Sequence, residues 1–471
     1  MDTVHRSMEA MGALESGAIA NPDEGRQVGH YWLRNPDLAP TAAIRDQIRT
    51  TTQRIDALTP GDHNAILLIG VGGSALGPQM AYKWLQPASS TLTLYCLDNT
   101  DAEGFVDTLT HIDPQRTLAV VITKSGGTTE TMNGLAAARA HWAAAHEPFA
   151  AHAIAITGPG SSLDAIAKEE EWLHRLPIWD WVGGRTSITS AVGLVPMHLL
   201  GFDTHAFLDG AAAMDKATRQ EPNSNPALQL AAAWFSAGNG LGERNLVIEP
   251  YRDRLSLLGR YLQQLVMESI GKAKDRAGNI VHQGLGVFGN KGSTDQHAFM
   301  QQIRDGKDDA LVHFIESIET GLPNGADPHL IEATDHLFGF WVGTRDALTQ
   351  AGRPSVTIRL DRVDARTMGA VVALFERAVG FYAEWANINA YNQPGVEAGK
   401  IAAQNTVRAI PLVIKTLSQT PHSAQQIGQH IAITEELVWR ICMHLCATNR
   451  ALRTPGSTSL EDKFCRIKLD T

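Results

Sequence analysis

The chain has 471 residues, enough for two or three domains. A formal net charge of −10 argues against nucleic-acid binding as the main task, while leaving room for a local basic pocket around a small anion. No run of about 18 apolar residues occurs, so no membrane partner is expected. The four cysteines, none in a C-x-x-C pair, point to a reducing compartment, the cytoplasm.

Residues 1 to about 55 read as mostly helical and begin without an apolar signal core. Ala65 to Gly70 then reads as a fully buried strand, followed by strands over Thr91 to Leu97, Leu118 to Thr123 and Ala153 to Thr157. Segments of helical length lie between them, such as Glu130 to Ala145. Strands alternating with helices predict a parallel sheet covered on both faces. A similar pattern returns with strands over Asn245 to Glu249, Asp309 to Glu316 and Val356 to Leu360. Helices are expected over Leu258 to Lys274 and Thr367 to Ala386. The join between the two α/β domains is expected between about 200 and 228. Residues 419 to 450 read as helical, and the last twenty as a tail. Within that region Cys442-x-His444-x-Cys446 has metal-like spacing, but no second ligand pair lies nearby, and buried thiols explain it better.

Two strands end in unusual loops. The first is Gly70-Val-Gly-Gly-Ser-Ala-Leu-Gly77, which fits either a ligand-approach loop or a tight packing turn. It misses the dinucleotide spacing, and no P-loop lysine follows. The second is Thr123-Lys-Ser-Gly-Gly-Thr-Thr-Glu-Thr131. Hydroxyls and amides at a helix start converge on an anion. A helix cap explains one hydroxyl here, not four with two glycines, so phosphate binding is the better account.

IGVGGSALGP and TKSGGTTET look like the paired phosphosugar loops of sugar isomerase domains. Four further stretches extend the likeness: Gly183-Gly-Arg-Thr-Ser, Gln264 through Lys272 (QLVMESIGK), Gly292-Ser-Thr-Asp-Gln-His297, and Gln393-Pro-Gly-Val-Glu-Ala-Gly-Lys400. In order and spacing, from about residue 65 to 405, the chain resembles the glucose-6-phosphate isomerase (phosphoglucose isomerase) family. It departs at Ile270, where the family often has Asn, at Ser293-Thr-Asp, and at Gly126, where many members carry Phe or another side chain.

The resemblance implies two doubly wound parallel-sheet sugar isomerase domains of three αβα layers, at 51–210 and 225–418. An N-terminal helical segment (1–50) and a C-terminal helical extension and tail (419–471) flank them. It implies reversible interconversion of glucose 6-phosphate and fructose 6-phosphate through a cis-enediol, in glycolysis and gluconeogenesis. Two alternatives stand beside it: a broader isomerase that also takes mannose 6-phosphate, and a non-catalytic phosphosugar-binding regulator.

Such chemistry needs a base that carries a proton between neighbouring carbons. Glu268 stands at the border of an apolar stripe, where a carboxylate can be partly desolvated; on spacing alone, a surface pair with Lys272 at i+4 explains it better. By resemblance Glu268 is the base and Gln264 a sugar or phosphate contact. Arg185 matches the cation that stabilises the enediolate, a part a metal plays elsewhere, so no metal and no cofactor is expected. His297 is implied to open the ring, since a histidine side chain can both accept and donate a proton, with Lys400 as an assisting donor. Gly73, Ser74, Thr123, Lys124, Ser125 and Thr128 are the implied binding residues, and Thr129 reads as a cap. The family pattern also implies a homodimer in which His297 reaches the neighbouring subunit's pocket.

Overall fold

A computed structural model describes residues 2–85 and 92–467. The contacts divide it into two compact units, up to Asn392 and from Gln393 onward. In the first unit α1 (Asp2–Glu15) precedes a short hairpin, β1 (Ile19–Asn21) and β2 (Arg26–Gln27), and α2 (Ala42–Asp56). Then comes the alternation read from the sequence: β3 (Ala65–Ile69), α3 (Leu76–Leu85), β4 (Thr93–Leu97), α4 (Ala102–Thr110), β5 (Thr117–Thr123), α5 (Thr129–Ala144), β6 (Ala153–Thr157), α6 (Ser162–Glu169) and β7 (His174–Pro177). The expected start of the second strand at Thr91 lies outside the described residues. These strands form a fully parallel sheet in the order β4-β3-β5-β6-β7.

Every residue of β3, β5 and β6 is buried, as both faces of the sheet are covered by helices. Alternate side chains feed different cores, the period-2 rule of a strand. Ile66, Leu68, Val120 and Ile122 point into one apolar cluster. Leu67, Ile69, Ala119 and Val121 point into another, which holds Leu135 and Trp142 of α5 and Leu163 of α6.

The helices α7 (Ala191–Leu199), α8 (Thr204–Ala217) and α9 (Pro226–Ala237) lead to the second sheet. Its elements are β8 (Asn245–Pro250), α10 (Leu258–Leu262), the hairpin β9 (Lys272–Lys274) and β10 (Ile280–Gln283), β11 (Val287–Phe288), α11 (Met300–Asp305), β12 (Ala310–Ser317), α12 (Pro328–Gln350), β13 (Ser355–Leu360) and α13 (Ala365–Trp385). The strand order is β11-β8-β12-β13, again parallel throughout. Leu246, Ile248 and Ile315 join the same large core as Ile66 and Val120, along with eleven buried apolar residues of α13. Val247, Val312 and Phe314 face Trp341 and Leu348 of α12 instead.

The helix expected from Leu258 to Lys274 does not run that far. After α10 the backbone winds into a π-helical turn over Gln263–Glu268, and Lys272 already belongs to β9. Gly271 and the hairpin pairing end the helix there.

The second unit contains α14 (Pro394–Thr416), β14 (His422–Ser423), α15 (Ala424–Ile431), α16 (Glu435–Ala447), β15 (Ala451–Thr454) and β16 (Lys463–Arg466). The expected tail is therefore partly sheet, with β16 paired between β14 and β15 and Phe464 buried against Val438 and Leu445. Residues 468–471 of that tail lie outside the described residues. Cys442 is buried in the same core, and burial pushes its thiol up to about 12.

Candidate active site

In the first sheet β3 and β5 are neighbours, although β4 intervenes in the chain. Strands are added on opposite sides of this border, so a crevice opens at its carboxyl end, the usual ligand position in open parallel sheets. Both glycine-rich loops leave from this point. Gly70 sits against Ile122, where an added Cβ would lie 3.0 Å from the Ile122 carbonyl.

The hydroxyls of the loop after β5 cluster together. Thr123 Oγ1 lies 2.9 Å from Thr128 Oγ1, and Ser125 Oγ lies 3.5 Å from the same atom. The Gly127 amide donates to Ser125 Oγ at 3.3 Å. Thr128, rather than Thr129, occupies the N-cap of α5, yet its side chain caps no amide. The first turn of α5 therefore offers its amides and the nearby hydroxyls together, which is the donor set an anion needs. Lys124 is different: its ammonium donates to the carbonyls of Asp180 (2.8 Å) and Val182 (3.0 Å). Burial, then the charge of Arg26, lowers its pKa, with Asp180 opposing. Lys124 thus ties the loop to the segment before Gly183.

Gly126 has φ +76°, a conformation that favours glycine. A Cβ there would meet Leu163 N and Ser161 Cβ, each at 2.8 Å. A larger side chain has no room in this loop.

The loop after β3 reaches the remaining residues. A Cβ on Gly73 would lie 2.1 Å from the Gly184 carbonyl, so these two glycine segments touch backbone to backbone. One on Gly72 would lie 3.0 Å from Gln264 Nε2. Ser187 Oγ donates to the carbonyls of Gly184 (2.8 Å) and Gly73 (3.3 Å). Half-buried Ser74 completes the turn Gly72–Ser74. The loop packs tightly, and it does so directly beside Arg185 and Gln264.

Arg185 is buried, on the turn Gly184–Thr189. Its Nε pairs with Glu268 Oε2 at 3.1 Å. Nη1 donates to Ser269 Oγ (3.2 Å) and the Ala390 carbonyl (2.7 Å), and Nη2 to the Asn392 carbonyl (2.9 Å). A second Nη2 hydrogen remains for another acceptor. Burial lowers the pKa of Arg185 from its ordinary value, and Glu268 opposes that shift most strongly. An arginine remains a cation through such a shift.

Glu268 closes the π-helical turn and is partly exposed. Its carboxylate is paired with Arg185, so the surface pair with Lys272 does not form. Lys272 Nζ instead donates to the Glu268 main-chain carbonyl at 2.6 Å and to the Asn392 carbonyl at 3.1 Å. The π winding and the turn into β9 remove the i+4 side-chain geometry that spacing alone assumed. Arg185, Glu268, Gln264, Gly73 and Ser74 are thus brought together, with Ser269, Lys272 and Asn392 as members that motif reading did not single out.

His297 ends the short turn Thr294–His297 and is exposed. The turn itself is well held. Asp295 Oδ2 accepts from the amides of Asn290 (2.6 Å) and Lys291 (3.1 Å), and Gln296 donates to Tyr251 Oη and the Phe340 carbonyl, each at 3.2 Å. No hydrogen bond or ion pair links His297 to Glu268 among the described residues. Lys400 is exposed on α14 of the second unit. No group of three or more possible metal ligands occurs among the described residues. No helix there is long and apolar enough to cross a membrane.

The phosphoglucose isomerase family model matches residues 4–336 and 345–427. The chain belongs to the phosphoglucose isomerase family. Among its relatives, the glucose-6-phosphate isomerase of Synechococcus sp. (strain JA-3-3Ab) is 48% identical over 473 residues, covering 96% of this chain and 89% of the relative. The enzyme of the same name from Nostoc punctiforme is 46% identical over 477 residues, covering 96% and 90%. A solved glucose-6-phosphate isomerase from Chlamydia trachomatis superposes with a TM-score of 0.78 at 26% identity, over 86% of this chain and 84% of that one. A Thermus thermophilus protein described as hypothetical gives 0.71 at 26%, over 86% and 94%. The two parallel sheets are thus those of this family.

Proposed function

We propose that the protein interconverts glucose 6-phosphate and fructose 6-phosphate, an aldose–ketose isomerisation at the top of glycolysis that also runs in gluconeogenesis. Family membership supports the reaction, and the Arg185–Glu268 pair beside the β3/β5 crevice is the single observation that carries it to these residues. Glu268 takes the proton from C2 of the open aldose and returns it to C1 of the cis-enediolate. The negative charge that forms on oxygen meets the remaining Nη2 hydrogen of Arg185, in a setting already desolvated. Ser125, Thr128 and Thr123, with the first amides of α5, hold the non-reacting phosphate, and Gly73, Ser74 and Gln264 line the sugar. Lys124 serves by holding the loop, through its two carbonyl bonds.

Ring opening falls to His297 with Lys400, and we read His297 as acting in the pocket of a second copy. Two features support a homodimer: His297 is exposed on a rigid turn, and α12 beside it leaves Leu330, Ile331, Phe338 and Phe340 uncovered. We read residues 51–210 and 225–418 as the two sugar isomerase domains, and the cytoplasm as the compartment, in keeping with four free thiols.

A coupled assay on purified protein with fructose 6-phosphate and a chelator tests the proposal. Turnover that survives chelation is expected. Absence of turnover refutes the enzyme reading in favour of a phosphosugar-binding regulator, and chelator-sensitive turnover refutes the metal-free one.

A further inference from the structure

Lys272 is a buried cation at the back of the site. Its ammonium reaches only main-chain carbonyls, those of Glu268 and Asn392, and no carboxylate lies within ion-pair distance of it among the described residues. The Asn392 carbonyl is shared: Arg185 Nη2 donates to it at 2.9 Å and Lys272 Nζ at 3.1 Å. Arg185 then returns to Glu268 through Nε. The contacts close a ring from Lys272 through Asn392, Arg185 and Glu268 back to Lys272.

The ring has a mechanical consequence. Glu268 lies at the end of a π-helical turn, with only Ser269, Ile270 and Gly271 between it and β9. A carbonyl at such an end lacks its regular helical donor, and Lys272 supplies one. The opposite anchor, Asn392, is itself held by Asp23 of the β1–β2 hairpin, which also accepts from Asn389 Nδ2 at 2.7 Å. Lys272 therefore joins two separately fixed segments, with the Glu268 carboxylate between them.

We propose that Lys272 is a positioning residue for the isomerisation, holding the Glu268 main chain in register with the Arg185 guanidinium, and that it does so as a cation. The proposal rests on the assignment of Glu268 as the base. The charged groups facing Lys272 are Arg185, which disfavours its protonation, and Glu268 and Asp23, which favour it. Burial is the largest influence, and together they bring its pKa down to about 8, so the cation is lost under mildly alkaline conditions.

The test compares wild type, Lys272→Met and Lys272→Arg by steady-state kinetics from pH 6 to about 9.5, with a sugar-alcohol phosphate as a competitive probe of binding. The Met variant is expected to lose about 30-fold or more in kcat, with KM and inhibitor affinity changed less than about 3-fold, because the phosphate loop is untouched. The Arg variant is expected to recover at least about 10-fold of that loss. Arginine stays charged, so its alkaline fall in activity should move up by more than about one pH unit. A Met variant within about 2-fold of wild-type kcat overturns the proposal, as does a loss confined to KM. If the Met variant does not fold, the Arg variant decides: an alkaline limb identical to wild type overturns the proposal. Wild-type protein without turnover would instead refute the proposed function, which separates the two failures.

Discussion

Arg185 and Glu268 meet through one contact, Nε to Oε2 at 3.1 Å, while the other end of the guanidinium is fixed to main-chain carbonyls. The cation is thus immobilised by the backbone, and the carboxylate sits against it as an ion pair. A Glu268→Gln variant preserves this shape and removes only the ability to accept a proton. Its kcat should fall by about 10²–10⁴-fold with substrate affinity nearly unchanged. Exchange of the transferred proton with deuterated solvent, followed by NMR, should stop. Exchange at the wild-type rate would rule out Glu268 as the base.

Arg185→Lys tests the other partner. A lysine has one donor centre and cannot reach Glu268, Ala390 and Asn392 in the arginine's planar arrangement. We expect kcat to fall by about 10²–10³-fold, the range seen when a fixed donor to a developing oxyanion is removed. A variant with full kcat and a raised KM would show that the cation acts in ground-state binding instead.

Gly73→Ala probes the link between the two glycine segments. The added methyl would lie 2.1 Å from the Gly184 carbonyl, and neither atom belongs to a flexible side chain. One backbone segment must move, and Arg185 follows Gly184 directly. A displacement of this kind should lower kcat/KM by about 100-fold and destabilise the fold by about 1–3 kcal/mol. Kinetics together with thermal melts check both effects, and an unchanged variant would mean the contact relaxes without moving Arg185.

The double variant Ser125→Ala with Thr128→Ala removes two hydroxyls of the α5 cradle and leaves its amides. KM should rise about 10–100-fold, and inhibition by inorganic phosphate should weaken in parallel, with kcat retained. A loss of kcat at constant KM would contradict a role in holding the distant phosphate.

Much of this site is legible in the sequence, because each loop combines a composition with a place. TKSGGTTET follows a strand whose seven residues are all buried, so its polarity is confined to the sheet's carboxyl end. The β strands with continuous apolar runs are equally legible, whereas β7, with the sequence His-Arg-Leu-Pro, and the two-residue β11 carry no such pattern. The helix around Glu268 departs from its sequence pattern for a physical reason. Its apolar spacing fits an ordinary helix, while the π turn and the switch into β9 are set by packing and strand pairing. That switch takes Lys272 away from the Glu268 side chain and onto its backbone. The Gly73–Gly184 contact is similarly invisible in sequence, since the two residues come together only when the loop after β3 meets the segment after β7.

The strand beneath the His297 turn yields a prediction about pH. Glu249 of β8 is fully buried, and neither of its carboxyl oxygens meets an N–H or O–H donor from a neighbouring group. Its polar neighbour is the Asp295 carboxylate, already engaged with the Asn290 and Lys291 amides. Burial first, then the charge of Asp295, raises the pKa of Glu249 from its ordinary value of 4.5 to about 8. The folded protein therefore holds this proton from pH 4.5 to about 8, where the unfolded chain has lost it. Stability from this group is fully present below pH 4.5 and declines as pH rises, by at most about 1.4 kcal/mol per pH unit, until the folded form also ionises. Glu249→Gln puts an N–H donor towards Asp295 in place of the carboxylic O–H and has no proton to lose. We expect it to be more stable than wild type at pH 8 by a few kcal/mol, on the order set by that slope, and about equal at pH 4.5. Urea unfolding at several pH values measures the difference, and an equal pH slope in both proteins would show that Glu249 does not carry the proton.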